Sequence, residues 1–338
     1  MPIAPANFVT SLSLCFFSSR SSSLRSSCCS FFFRTTIFCF LIFFATPGVD
    51  PAARIAGRNA SQETLAQVRA TFDLDKALPE RYLSMMDHLF IQRDLTSYVN
   101  RGEEVWPQLI QAIPATLSLV IGASIIWLLL GIGLGVTAAG MRKSWIDPAI
   151  GVLGIIGVSL PVYWLGEVVN LITQGSLHDT AFRWVPPLGY VPLTENPGQW
   201  FLSLLFPWLT LSLLYAGIYI RVIRGEIVGL MQEDFVKTER AKGASEKRIL
   251  LKHSSRMSLI TVVSLFGLDF GALVGGSALL TEVVFGIQGV GRLTFTALQN
   301  FDLPLIMATV MYAAFFIVIA NAVVDVLYAW LDPRVRRG

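Results

Sequence analysis

Residues 113–139 read IPATLSLVIGASIIWLLLGIGLGVTAA, a run without a single charged side chain. A helix needs about 20 apolar residues to cross the ~30 Å hydrocarbon layer of a bilayer, and this run supplies more. Four further stretches of the same kind follow at roughly 148–173, 202–223, 258–283 and 304–329. In lipid a backbone must satisfy its own polar groups. Segments this continuous do so as helices, whereas barrel strands alternate apolar and polar residues. The core of a soluble domain does not produce five such runs, and the composition agrees, with 54% hydrophobic residues and a mean hydropathy of +0.60. The fold class that follows is an all-α polytopic membrane protein.

Toward the N-terminus the reading becomes less regular. FFFRTTIFCFLIFFA, residues 31–45, is a shorter apolar run interrupted by Arg34. It reads as a first transmembrane helix, which brings the count to about six, with a signal-peptide core as the alternative. The segment before it is rich in Ser, Cys, Phe and Arg and has no helical period, so residues 1–46 form an atypical N-terminal region. Cys15, Cys28, Cys29 and Cys39 all lie there without accompanying His or carboxylate residues, which argues against a disulfide framework or a metal site.

The basic residues set the orientation. Of 26 Lys and Arg, nine fall between Arg221 and Arg256, while Arg142 and Lys143 occupy the 140–147 loop and Arg334, Arg336 and Arg337 the C-terminus. These positions share one side if six helices alternate. The 174–201 and 284–303 loops hold only Arg183 and Arg292. The basic side is therefore expected to be cytoplasmic, with the C-terminus inside. Residues 47–108 form an external cap, and 109–338 the transmembrane domain with a cytoplasmic loop at 224–257. Within the cap, Leu65, Val68 and Phe72 share a helical face, and LPERYLSMMDHLF begins a second helix with Pro79 near its first turn. The Asn59-Ala60-Ser61 triplet matches a glycosylation acceptor, a pattern common by chance.

One polar stretch interrupts the oily half of the chain. EIVGLMQEDFVKTERAK places Ile227, Met231, Phe235 and Thr238 at helical spacing and ends before Gly243, which reads as an amphipathic helix with a glycine C-cap. Ser245 is then a natural N-cap, Glu246 stands in the first turn, and EKRILLKH forms a second short helix ending at Lys252 and His253. Two short helices about a glycine turn suit either a surface that binds anionic lipid or a partner-docking element.

TERAKGASEKRILLKHSSR, residues 238–256, resembles the cytoplasmic coupling loop of inner-membrane permeases of ATP-binding-cassette importers, specifically the B-type permease of the dipeptide, oligopeptide and nickel group. The segment 46–83 is similar to that group's outer segment. IPATLSLVIG (113–122), GVSLPVYWLG (157–166), TEVVFGIQGVGRL (281–293) and VVDVLYAWLDPRVRR (323–337) resemble its later signatures. The likeness runs from about residue 45 to the end. Departures stand at Glu239 (usually Ala), Ser254-Ser255 (usually Ala-Leu), Thr261 and Gln288 (both commonly Pro).

The resemblance implies type I importer permease architecture in a bacterial inner membrane, and a set of partners. These are a second homologous permease in a heterodimer, two cytoplasmic ATP-binding-cassette ATPase subunits and an extracytoplasmic solute-binding protein. The implied cargo is a di- or oligopeptide, with nickel or another small solute as the alternative. It also implies that Glu239, Ala241, Lys242, Gly243, Ala244, Ser245, Arg248, Ile249 and Lys252 couple the chain to the ATPases. No cofactor, metal or nucleic-acid partner is expected, and ATP hydrolysis is expected on the separate subunits.

Ionisable groups inside spans are costly and face the bundle interior or water. Glu167, Asn170 and Asp269 are accordingly candidates for the translocation path, with Glu167 and Asn170 on one face of the third helix. Glu282, Asp325 and Asn321 stand nearer to span ends. His88, His178 and His253 form no catalytic pair, GIQGVG at 286–291 lacks a preceding strand, and GVSLP is no nucleophile elbow, so enzyme readings lack residues to support them. A proton-coupled secondary transporter needs an inverted repeat with interrupted helices, which the sequence does not display.

Overall fold

The computed structural model describes residues 37–38, 40–41, 52, 61–71, 75–97, 99, 103–175 and 177–331. Most of the N-terminal region, including most of 31–45, lies outside them, as do Asn59, Phe72 and the C-terminal Arg334, Arg336 and Arg337. Among the described residues the regular structure is helical, apart from one isolated bridge between Thr96 and Glu104.

The helices are α1 (Gln62–Thr71), α2 (Leu78–Asp87), α3 (Val105–Gly140), α4 (Ile146–Ser159), α5 (Val162–Gln174), α6 (Pro197–Leu230), α7 (Asp234–Ala241), α8 (Glu246–Ser277), α9 (Leu279–Val284), α10 (Val290–Asn300) and α11 (Leu303–Leu331). Four of them, α3, α6, α8 and α11, are long and apolar enough to cross a membrane. The α4–α5 pair makes a fifth candidate, bent by 93°.

That bend divides the apolar run 148–173 at Pro161. Leu160 precedes Pro161, and the proline ring pushes it into the extended region at ψ 124°, with Pro161 itself at ψ 131°. Proline also lacks the N–H that would continue the ladder. A correction applies to 258–283. The helix there begins earlier, at Glu246, and stops where Gly276 adopts φ +112°, so that 279–284 forms the separate α9.

Small residues let the spans approach closely, the means by which membrane helices pack when no hydrophobic drive separates them from lipid. On α8, Gly267, Gly271 and Gly275 recur every four residues against α11, and a Cβ built on Gly271 would lie 2.6 Å from the Ala320 methyl. A Cβ on Gly157 of α4 would lie 2.6 Å from the Leu213 carbonyl oxygen of α6. Between α3 and α6, the fully buried Trp127 stacks on Tyr215 at 4.8 Å. Arg224 of α6 donates to both oxygens of Asp147 at 2.5 and 2.7 Å, tying α4 to α6 at the end of the bundle that carries Arg142, Lys143 and α7. This is referred to below as the basic end.

α1 and α2 are the two short helices that the periodicity predicts within 47–108, with Pro79 in the first turn of α2, which lies at the opposite end of the bundle. α2 runs into a π turn at His88–Gln92 and packs inward: Met85 joins Phe40, Leu303 and Met307 in one buried cluster, and Leu89 enters the main core. Ser97 donates a hydrogen bond to Asp302, a second link between the cap and the start of α11.

Candidate functional site

The loop at the basic end is built by local rules. α6 ends at Leu230, and the extended Glu233 (ψ 156°) separates it from α7. The single amphipathic helix read across 226–242 is therefore two: Ile227 is buried inside α6, and only Asp234–Ala241 belongs to the loop. α7 ends in a Schellman motif. The Gly243 N–H donates to the Arg240 carbonyl at 2.9 Å and the Ala244 N–H to the Glu239 carbonyl at 3.1 Å, with Gly243 at φ +82°. Ser245 caps the next helix as the sequence predicts, its hydroxyl accepting from the Arg248 N–H at 3.4 Å.

Across the glycine, Arg240 donates to both carboxylate oxygens of Glu246 at 2.5 and 3.1 Å, clipping α7 to the start of α8. Lys242 donates to Glu239 at 3.0 Å, and this contact holds the Glu239 carboxyl below its ordinary range. Lys237 likewise pairs with Asp234 at 2.8 Å. Much of the loop's charge is thus used inside the loop.

The second helix is not a short one ending at His253. It passes through a π turn at Ile249–Ser254 and continues as the span α8, so displacement of the turn is transmitted directly to a transmembrane helix. Ile249 is fully buried and anchors this junction. Ala241, Lys242, Gly243, Ser245, Arg248 and Lys252 are exposed, and Glu239 and Ala244 half-buried. The departures at Ser254 and Ser255 are accommodated: the Ser254 hydroxyl lies 3.4 Å from the Met231 sulfur, and Ser255 donates to the Leu250 carbonyl at 2.8 Å. Gln288 is exposed.

Three of the other sequence signatures converge on one buried knot near the opposite end. Glu282, on α9, is fully buried rather than interfacial. Its carboxylate accepts from the Thr116 hydroxyl of α3 at 2.6 Å and from the Arg292 N–H at 2.8 Å. Thr116 in turn accepts from the Val290 N–H at 2.8 Å. The orphan amides at the start of α10 thus find their acceptors in Glu282 and Thr116 rather than in a local cap. Gly286 turns the chain at φ +69°, and a side chain on Gly289 would collide with the Glu282 carboxylate. A Cβ on Gly166 of α5 would lie 3.0 Å from Val284, and Asn170 donates to the Val284 carbonyl at 2.9 Å. IPATLSL, GVSLPVYWLG and TEVVFGIQGVGRL are therefore parts of a single joint. The acid followed by Gly286, Gly289 and Gly291 was the signal in the sequence that marked it.

Among the candidates for the path, Glu167 is exposed, and Asn170, one turn further along the same helix, is buried and donates to the Val284 carbonyl of α9. Asp269 lies half-buried on α8, where the Tyr219 hydroxyl donates to it at 2.9 Å. Asn321 is exposed, and the Asp325 side chain lies outside the described residues. No group of three or more His, Cys, Asp and Glu residues is arranged to hold a metal among the described residues.

Two family matches cover most of the chain. Residues 131–337 match the family described as "Binding-protein-dependent transport system inner membrane component", and residues 25–120 match its N-terminal family. A putative peptide transport system permease protein of Brucella abortus is 35% identical over 300 residues, covering 89% of this chain and 93% of that protein. The probable D,D-dipeptide transport system permease protein of Escherichia coli is 34% identical over 315 residues (88% and 92%). A glutathione transport system permease protein of Salmonella choleraesuis is 35% identical over 302 residues (88% and 92%).

Proposed function

The chain belongs to the family of binding-protein-dependent transport system inner membrane components, and on that premise we propose that it is the permease subunit of an ATP-driven importer for di- or oligopeptides. The observation that carries the cargo class is the near full-length identity to permeases named for peptide, D,D-dipeptide and glutathione transport, all of them peptide cargo. The basic end is cytoplasmic by the positive-inside rule, the C-terminus lies on the same side, and the cap of α1 and α2 faces outward.

In this reading a second homologous permease completes the pathway, and two cytoplasmic ATPase subunits supply the energy. Each ATPase groove receives the α7–turn–α8 element through Ala241, Lys242, Gly243, Ser245, Arg248 and Lys252. An ATPase shifts the permease between inward and outward states only through contacts that differ between them. The structure supports that role because the Schellman turn and the Arg240–Glu246 clip give the element a fixed shape, and α8 joins it without a break to the bundle. An extracytoplasmic binding protein delivers cargo to the cap.

The test is reconstitution of the chain with its partner permease, ATPases and binding protein in proteoliposomes. Uptake of a radiolabelled tripeptide that needs ATP and ignores a protonophore is the expected result. Uptake driven by a proton gradient without ATP, or ATP-driven uptake of nickel but no peptide, refutes it. A transport-competent homodimer removes the heterodimer.

A further inference from the structure

Asp269 is an acid within a span for which the described residues supply no ion pair. It sits in the transmembrane part of α8, and its only hydrogen bond among the described residues comes from the neutral Tyr219 hydroxyl at 2.9 Å. The ion pairs formed among the described residues lie at the two ends of the bundle. α3 and α11 carry no Lys, Arg or His, and the nearest cation along α8, Arg256, is 13 residues away, about 20 Å at 1.5 Å per residue. Arg221 of α6 lies on the side facing α4, where its aliphatic stem is 3.9 Å from a Cβ built on Gly154. A carboxylate in a span is retained against a substantial cost, and one neutral donor does not offset it.

The surroundings suit an organic cation. Tyr215, Phe266 and Phe270 are half-buried beside Asp269. They are held by the Trp127 ring, stacked on Tyr215 at 4.8 Å and 6.1 Å from Phe266, and by the Phe266–Phe270 pair at 5.3 Å. A carboxylate bordered by aromatic faces recognises an ammonium group through a charge-assisted hydrogen bond and cation–π attraction. The same three helices line a cavity of about 160 Å³ nearer the basic end, where apolar side chains such as Ile132, Ile223 and Val262 meet Ser255, Ser258 and the cation Arg256 at its basic-end side. Val262 is two turns of α8 from Asp269, about 10 Å. Aromatic cluster and cavity therefore follow one another along the α3–α6–α8 groove.

Resting on the reading of the chain as a peptide permease, we propose that Asp269, with Tyr219 and the half-buried aromatics, forms a subsite in the transmembrane path for the protonated amino terminus of the peptide. Every free peptide carries this ammonium at neutral pH, since an α-amino group titrates near 8. A site that reads it accepts peptides without regard to their side chains.

The experiment compares a tripeptide with its N-acetylated form in the reconstituted complex, both at concentrations that saturate the binding protein, so that delivery does not limit uptake. Asp269→Asn is expected to cut maximal uptake of the free tripeptide about ten-fold, the worth of one charge-assisted hydrogen bond. The acetylated peptide, which has no ammonium to pair, is expected to lose much less, and Asp269→Glu retains most of the free-tripeptide rate. Equal losses for both cargoes assign Asp269 to packing, to proton movement or to a basic residue of the partner permease, and overturn the subsite. No loss for either also overturns it. If the binding protein rejects the acetylated cargo, the two peptides are photo-crosslinked to the complex without it. Labelling by the free peptide alone, lost in Asp269→Asn, supports the subsite, and any other labelling pattern overturns it. A wild-type complex that takes up no peptide with ATP defeats the parent reading and the subsite with it, an outcome distinct from those above.

Discussion

Replacing Gly243 with valine isolates the geometry of the loop from its charge. A Cβ at this position meets no atom within 4 Å, so the cost does not come from neighbours. It comes from the backbone, because φ is +82° and an L residue held in the left-handed region costs about 1–2 kcal/mol, more when the side chain is β-branched. Against this stand the two Schellman hydrogen bonds, from Gly243 to Arg240 and from Ala244 to Glu239, each contributing about 1 kcal/mol. The strain is therefore comparable with what holds the turn, and each 1.4 kcal/mol shifts the population of the native turn ten-fold. Gly243→Val is expected to reduce peptide-stimulated ATP hydrolysis and uptake by about ten-fold, with the protein still inserted at normal levels. Gly243→Asn is expected to be milder, since asparagine tolerates this backbone conformation. Lys247→Gln, an exposed charge removed without change of shape, is expected to do little. The assay is ATPase activity and transport of the reconstituted complex, normalised to permease content. If valine and asparagine behave alike, or if Lys247→Gln matches Gly243→Val, the loop works through charge rather than shape and the coupling assignment fails.

Glu282→Gln places an amide NH₂ where a carboxylate oxygen now accepts a hydrogen bond, leaving a buried donor unpaired at about 1–3 kcal/mol; the solubilised protein should melt at lower temperature, and an unchanged melting temperature refutes the knot. Gly271→Leu should force α8 from α11 and cost about 1–3 kcal/mol through overpacking, whereas Gly133→Ala, with no atom within 4 Å of the new Cβ, should be silent in the same melting assay; equal effects would discard the close-packed stripe. Leu83 on α2 (66% exposed) and Ile91 in the π turn that follows it (74% exposed) offer apolar surface, so Leu83→Asp with Ile91→Asp should lower delivery from the binding protein while leaving ATPase binding intact, and undiminished uptake at limiting binding protein refutes a docking role for the 47–108 segment. Because the Lys242 contact holds Glu239 below its ordinary value, its contribution to the turn is complete at neutral pH and lost only as pH falls through the carboxylate range; a spin-label distance between positions 237 and 247 should be constant from pH 8 to 5 and change below, and a distance that already changes between pH 8 and 5 refutes the contact's role.

The sequence determined the membrane class, the positions of α3, α6 and α11, the cap helices, the glycine turn and its serine N-cap. Each of these follows from a property carried within one segment: apolar length, helical period, or the conformational freedom of Gly243. Periodicity and composition left open what depends on two segments meeting. In the apolar run at 148–173, Pro161 marks where the helix is interrupted, but the 93° size of the bend depends on the backbone at Leu160 and Pro161 and is not carried by composition. Glu282 looked interfacial from its position near a span end. It is buried because Thr116, 166 residues away, and the amides opening α10 converge on its carboxylate. Glu167 and Asn170, three residues apart on one helix, differ in burial because α9 covers Asn170 and leaves Glu167 exposed. Asp269 was visible as a charge in a span, but that it is met by one neutral hydroxyl and an aromatic border was decided by the packing of α3, α6 and α8. A buried charge reveals its role through its partners, and those partners lie on other helices, so only the tertiary structure could name them.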